Sequence, residues 1–375
     1  MKIVVAMDSF KESLSAAEAC DVVAGALALE RPEARVVVKP MADGGEGTAE
    51  ALMRGCGGLW VPVRVMGPLE GMRVEAGFAW FESDRSAVVE MAAASGLGLV
   101  EAWRRDPLAA TTFGTGELIG AAMEHGAERV YLAVGGSATV DGGTGAAAAL
   151  GWRFLDGAGA AIGLGGGGLV ELRRIVRPGR GLSVPVEVLC DVDNPLCGAR
   201  GAARVYGPQK GATAEMVERL EAGLENLAGV VKEDLGEDIA EMPGGGAAGG
   251  LAAGAAAFFG ARLVSGIEFV MGRTGLMEEI AGADWVITGE GRFDEQSLCG
   301  KVISGVVEAA RDAGARVGVI AGQVVLDRQV YSERGVAAAL SCMREDMSLE
   351  YAMANARALV GAAAREFTMR YLQAV

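Results

Sequence analysis

Between residues 290 and 301 the chain sets Glu290, Arg292, Asp294, Glu295, Gln296 and Ser297 in close succession and then reaches Gly300 and Lys301. Carboxylates of this kind can bind a hard cation or take a hydroxyl proton, and Arg and Lys can pair with carboxylate or phosphate. Three more stretches carry the same side-chain types: Asp8-Ser9-Phe10-Lys11, Asp43-Gly44-Gly45-Glu46-Gly47, and Ala321-Gly322-Gln323. A fifth, Gly135, Gly136, Ser137, Thr139 and Asp141, offers hydroxyls and backbone N–H groups at a helix entrance, which suits an anion such as a nucleotide phosphate. Asp191, Asp193 and Asn194 are oxygen donors of the kind Mg²⁺ prefers, and the same three residues before Pro195 also spell an Asx-stabilised turn. Carboxylates, phosphate-cradling glycines and isolated lysines together point to phosphoryl transfer, in which a protein chiefly positions groups and neutralises charge.

Familiar signatures of that chemistry are missing. Gly300-Lys301 lacks both the glycine five residues upstream and the Ser or Thr that follows in a Walker A loop. No protein-kinase HRD or DFG triplet occurs. Hydride transfer is disfavoured too, because the first apolar run opens into Asp8-Ser9-Phe10-Lys11 with no GxGxxG turn.

The elements that must hold these groups follow from apolar periodicity. Residues 2–7, 35–39, 284–288, 316–321 and 336–340 are short continuous apolar runs, the mark of buried parallel strands. Ser15-Ala16-Ala17-Glu18 is a capping box opening an Ala-rich helix that stops before Pro32, and residues 300–313 read as a helix stopped by Gly314. Residues 59–65, 74–80 and 87–92 read as hairpin-connected strands, with further strands at 129–134 and 186–189 and a flexible glycine connector at 163–168. Apolar residues at helical spacing from Met216 to Val231 mark an amphipathic packing helix.

If both ends of the chain share one sheet, the usual doubly wound arrangement is 2-1-3-4-5, which sets strand 284–288 beside strand 2–7. The fold expected is therefore α/β: a discontinuous flavodoxin-like domain from residues 1–58 and 280–375, with an inserted second α/β domain at 59–279. The active site is expected in the cleft between the domains.

At 375 residues the chain is long enough for two cores. Its 58 glycines cluster in apolar segments without a repeat, suggesting loops pressed close to a ligand. A net charge of −15 argues against a nucleic-acid partner. Six cysteines without a CxxC pair fit reduced thiols, and the apolar start is too short for a signal peptide or membrane span, so a soluble cytoplasmic protein is expected. His125 is the only histidine, which argues against a Ser-His-Asp site. A monomer or homodimer acting on small molecules is expected.

Six blocks, MDSFKESLSA (7–16), KPMADGGEGT (39–48), FGTGELI (113–119), VGGSATVDGGTG (134–145), CDVDNPLCGARGAARVYGPQKGA (190–212) and ITGEGRFDEQSLCGK (287–301), resemble the bacterial class I glycerate kinases in order over essentially the whole chain. The resemblance implies ATP- and Mg²⁺-dependent phosphorylation of D-glycerate at its 2-hydroxyl to give 2-phosphoglycerate, with the 3-hydroxyl as the alternative. Under it, Asp191 and Asp294 are expected to bind metal or act as base. Lys11 and Lys301 would neutralise phosphate charge, and Arg292 would pair with the substrate carboxylate. Ser9, Asp43 and Glu290 would orient substrate, and the loop carrying Gly135, Gly136, Ser137, Thr139 and Asp141 would hold nucleotide phosphates. Glu12 stands where the family's first loop commonly has a small residue. A kinase of another small hydroxy acid and a non-catalytic hydroxy-acid-binding protein are the alternatives.

Overall fold

The computed structural model describes residues 1–372 except Arg180, Ser183 and Cys299, so the reduced thiol expected at Cys299 lies outside the described residues. The chain divides into two compact units, one of residues 1–43, 50–57 and 267–375, the other of residues 44–49 and 58–266.

The first unit is built on a five-stranded, wholly parallel sheet. Its strands lie in the order Arg35–Val38, Lys2–Met7, Trp285–Gly289, Arg316–Ala321, Val336–Ser341. Five consecutive residues of the interior strand Lys2–Met7, Ile3 to Met7, are fully buried, as a sheet covered on both faces requires. Helix Ala16–Glu30 begins on the Ser15/Glu18 capping box and packs on this sheet with helix Ala356–Tyr371, whose Phe367 stands edge-on to Trp285 at 5.6 Å. Gly318 leaves room for that ring, since a β-carbon there would lie 2.2 Å from Phe367 Cζ. The register sets Met7 against Gly289, so the loops leaving both strands start side by side.

The second unit carries a six-stranded mixed sheet. Leu59–Met66, Arg73–Phe81 and Ser86–Glu90 form an antiparallel meander, and Arg129–Ala133, Val186–Leu189 and Arg262–Val264 continue it in parallel. Residues 87–92 thus end as strand two residues early, because Ala92–Ser95 turns helical. Helix Ala214–Leu235 is the amphipathic packing helix expected there, burying Leu220, Leu224, Leu227 and Val231. Residues 163–168 are not a loose connector. Gly166 opens a 3₁₀ turn pressed so closely on Val140 that a β-carbon would lie 2.3 Å from its carbonyl oxygen. Apolar helix Ala247–Phe259 has no expected counterpart; it accommodates left-handed Ala248, Gly249 and Gly250 because Gly249 lies against the Thr139 carbonyl. His125 is structural, with its ring edge-on to Trp80 at 5.0 Å. No helix among the described residues is long and apolar enough to cross a membrane.

Candidate active site

The strand ends of the first unit open into a cavity of about 490 Å³. Its polar side is lined by Asp8, Ser9 and Lys11 after the first strand, Asp43 after the second, and Glu290, Arg292, Asp294 and Lys301 after the third. The seven expected site residues of this unit therefore meet in one place, together with Asp8. Asp8 stood in an expected loop without a role, and its cue was its position one residue past an apolar interior strand.

Each loop is tied down by backbone bonds. The Asp8 N–H donates to the Gly289 carbonyl at 2.9 Å, and the Met41 N–H donates to the Met7 carbonyl at 2.9 Å. Arg292–Phe293 pairs in parallel with Gln323–Val324, and the Gly322 N–H donates to the Glu290 carbonyl at 3.0 Å. Arg292 Nε lies 3.2 Å from Asp294 Oδ2, while Asp294 Oδ1 accepts the Gln296 N–H at 3.0 Å. Gly289 has no alternative, because a β-carbon there would lie 1.8 Å from the Ile320 carbonyl oxygen.

The first loop carries visible strain. The Phe10 N–H donates to the Leu14 carbonyl at 2.9 Å and the Leu14 N–H returns to Phe10 at 3.0 Å, and closing this tight loop puts Glu12 at φ 62°. A side chain in the left-handed region costs about 1 kcal/mol relative to glycine. Glu12→Gly is expected to stabilise the protein by up to about 1 kcal/mol, less the entropy glycine adds to the unfolded chain. Denaturant midpoints measure this, and a clear loss of stability would contradict the strain.

The electrostatics are those of crowded carboxylates. Burial, reinforced first by the Asp43 carboxylate and then by Glu290, pushes Asp8 up to about 8, against the Ser9 N–H donated to its Oδ1 at 2.6 Å and the Lys11 charge. Burial also raises Glu290, with Asp294 and Asp43 adding to it and the Ser297 hydroxyl and Lys301 opposing. Glu290 Oε1 is buried without a hydrogen-bond partner among the described residues. Among those residues no three His, Cys, Asp or Glu side chains make a ready metal cage. Mg²⁺ ordinarily asks for less, one or two carboxylates with phosphates and water completing its shell. A crowded carboxylate set with an orphaned oxygen fits such a cation.

A sequence model described as "Glycerate kinase family" matches residues 3–372. The chain belongs to the glycerate kinase family. It is 45% identical to the glycerate kinase of Halalkalibacterium halodurans over 371 residues, 98% of this chain and 97% of that one. It is likewise 45% identical to the glycerate 2-kinase of Escherichia coli over 359 residues, 95% and 94% of the two chains. A solved structure from Salmonella typhimurium LT2, itself assigned as glycerate kinase 2, superposes with a TM-score of 0.84 at 44% identity, covering 98% of this chain and 97% of that one.

In this member of the glycerate kinase family, the expected nucleotide loop and Asp191 belong to the second unit. Two of the loop's side chains, Asp141 and Ser137, are engaged within the protein. Asp141 is fully buried and accepts the Thr112 N–H at 2.8 Å, the Thr112 hydroxyl at 2.9 Å, and the Gly143 and Gly145 N–H groups at 3.1 and 3.3 Å. Burial raises its pKa against those donors. Thr139 is fully buried with its hydroxyl unpartnered among the described residues, and Ser137 accepts from the buried Lys210 ammonium at 2.7 Å. Lys210 also donates to the Thr139 carbonyl at 2.7 Å, and desolvation pulls it down to about 7 against the attraction of Asp141. Asp141, Ser137 and Lys210 hold the loop together through these bonds. Gly135 is in close approach to Gly45, where a β-carbon would lie 2.6 Å from its Cα, and Gly136 takes φ 67° beside Glu46. Lys210 went unremarked in the sequence because nothing in Pro208-Gln209-Lys210-Gly211 signals burial. Asp191 Oδ1 accepts the Ser265 hydroxyl at 2.7 Å and the Gly266 N–H at 3.1 Å. Asp193 faces Arg200, and Asn194 accepts the Tyr206 hydroxyl at 2.7 Å, so these two hold their turn.

Proposed function

We infer that this protein is an ATP-dependent kinase of D-glycerate that transfers the γ-phosphate to the 2-hydroxyl, giving 2-phosphoglycerate and ADP. The observation that carries the reading is the polar side of the first unit's cavity, where Lys11, Arg292 and Lys301 stand among Asp8, Asp43, Glu290 and Asp294. Full-length similarity to proteins named glycerate kinase and glycerate 2-kinase supports both the substrate and the position phosphorylated.

In this reading the doubly wound, flavodoxin-like arrangement delivers the working loops from the carboxyl ends of neighbouring strands. Arg292 takes the glycerate carboxylate, for which its planar fork is suited, and Ser9 and Asp43 orient the hydroxyls. The 2-hydroxyl oxygen forms a bond to the γ-phosphorus as the bond from that phosphorus to the bridging oxygen of ADP breaks. Asp8 accepts the hydroxyl proton, a task that calls for a carboxylate held near neutral rather than at its ordinary acidity. Lys11 and Lys301 neutralise charge on the transferring group. Asp294 would hold Mg²⁺, with Glu290 positioned to orient bound water. That ion, when bound, neutralises phosphate charge.

The cytoplasm, where ATP is at hand and thiols stay reduced, is part of the reading. Cys20 and Cys342 fit it as buried thiols pushed up to about 12 by burial, hence unreactive. The test is a coupled assay of ADP formation over a panel of hydroxy acids. Turnover that depends on D-glycerate is expected. Tight glycerate binding without turnover would convert the reading to a binding protein.

A further inference from the structure

The cavity is larger and more apolar than a three-carbon acid requires. Glycerate has seven heavy atoms. Even at a liquid water's share of about 30 Å³ for each, it would fill roughly 200 Å³. The cavity measures about 490 Å³. Beside the charged groups its wall includes Phe10, Met343, Leu349, Met353, Ala356 and Leu359. Four of these come from helices Leu349–Ala354 and Ala356–Tyr371, which follow the last strand of the sheet. A polyol acid gains nothing from such a surface. A ligand with a flat, weakly polar ring at one end and several negative charges at the other matches both sides.

We propose that the apolar lining of this cavity receives the adenine ring of ATP, with the phosphates running toward Lys11 and Lys301. The proposal rests on the kinase reading and adds to it the place of the base. Three observations bear on it besides size. Leu349 remains 61% exposed at the cavity edge, so it still has apolar surface to bury against a ring. Gln323 lines the cavity with both halves, and its amide Nε2 donates at 3.1 Å to the Met343 thioether, a weak acceptor that a ring nitrogen would replace with gain. In the second unit, the Ser137 and Asp141 side chains are already buried and engaged in its interior.

The test is Ala352→Trp, which fills the apolar half from a half-buried position on the short helix, together with the milder Leu349→Ala at its exposed edge. Binding of a fluorescent N-methylanthraniloyl ADP is measured alongside steady-state kinetics. Ala352→Trp is expected to raise both the KM for ATP and the Kd for the ADP probe at least about 10-fold, and Leu349→Ala about 3-fold, with the KM for glycerate within 2-fold. Tripolyphosphate, which lacks a base, should inhibit wild type and variants equally. Unchanged probe affinity in folded Ala352→Trp overturns the proposal. A rise confined to the KM of the organic acid also overturns it, by giving the apolar half to a larger acid. If Ala352→Trp does not fold, Leu349→Ala decides by the same measures. Absence of glycerate turnover in the wild type would defeat the kinase reading alone, since probe binding to wild type and variants still judges the site of the base.

Discussion

Asp8→Asn is expected to lower kcat/KM for glycerate by about 100-fold or more and to remove an ionisation near pH 8. The wild-type carboxyl is raised from 3.8 to about 8 by burial and by its acidic neighbours. A base works only when deprotonated, so wild-type kcat/KM should climb as pH rises through about 8 and then level, and the variant profile should be flat there. Stability should move the opposite way. A carboxyl whose folded-state pKa is raised favours the folded state fully below its unfolded value, and that contribution is lost as pH rises from about 4 toward 8. At pH 8 the neutral amide is therefore expected to stabilise the protein by about 1–3 kcal/mol, discounted from the full shift because Asp8 is only partly enclosed. Paired pH–rate profiles and thermal melts read both halves. A variant with unaltered pH dependence would remove Asp8 from proton transfer, and one less stable than wild type at pH 8 would contradict the electrostatic account.

Asp294→Asn is expected to cost at least about 100-fold in kcat with glycerate, and Asp191→Asn the same. Asp294 lies 3.2 Å from Arg292 Nε and lines the same cavity as Glu290 and Lys301, so removing its charge both frees the guanidinium and weakens the oxygen donor proposed for the cation. Asp191 Oδ1 is engaged by Ser265 and Gly266, and the amide retains an oxygen for those bonds, so its folding should be little disturbed. Near wild-type kcat in both variants would show that neither carboxylate serves the reaction. Loss in Asp294→Asn alone would confine the chemistry to the first unit's residues.

Some of this was legible from residue order. Buried parallel strands declare themselves as apolar runs, so Lys2–Met7, Trp285–Gly289 and Arg316–Ala321 could be read with nearly their observed bounds. The loops leaving them contain the polar residues that line the cavity, because a strand end of a parallel α/β sheet is where polar groups can be exposed without breaking the core. Burial of polar groups was not legible. A Ser/Thr/Gly/Asp loop at a helix entrance looks the same whether its N–H groups face a phosphate or are satisfied by its own Asp141. The same holds for Lys210, whose ammonium is buried against Ser137 by packing distant in sequence. The apolar wall was also out of reach, since Leu349 and Leu359 lie far along the chain from Phe10 and only the folded sheet collects them. Asp8 sits between these cases. Its position could be read, but its raised pKa depends on Asp43 and Glu290 arriving from other strands.

The most direct test of the central claim is phosphorus NMR, recorded with proton coupling, on the products formed from D-glycerate and ATP. Transfer to the 2-hydroxyl places the ester on a carbon bearing one hydrogen, so a new doublet growing in step with ADP is predicted. A triplet from an ester on the terminal CH₂ would contradict 2-phosphoglycerate formation, and ADP accumulating without any new ester signal would contradict glycerate phosphorylation itself.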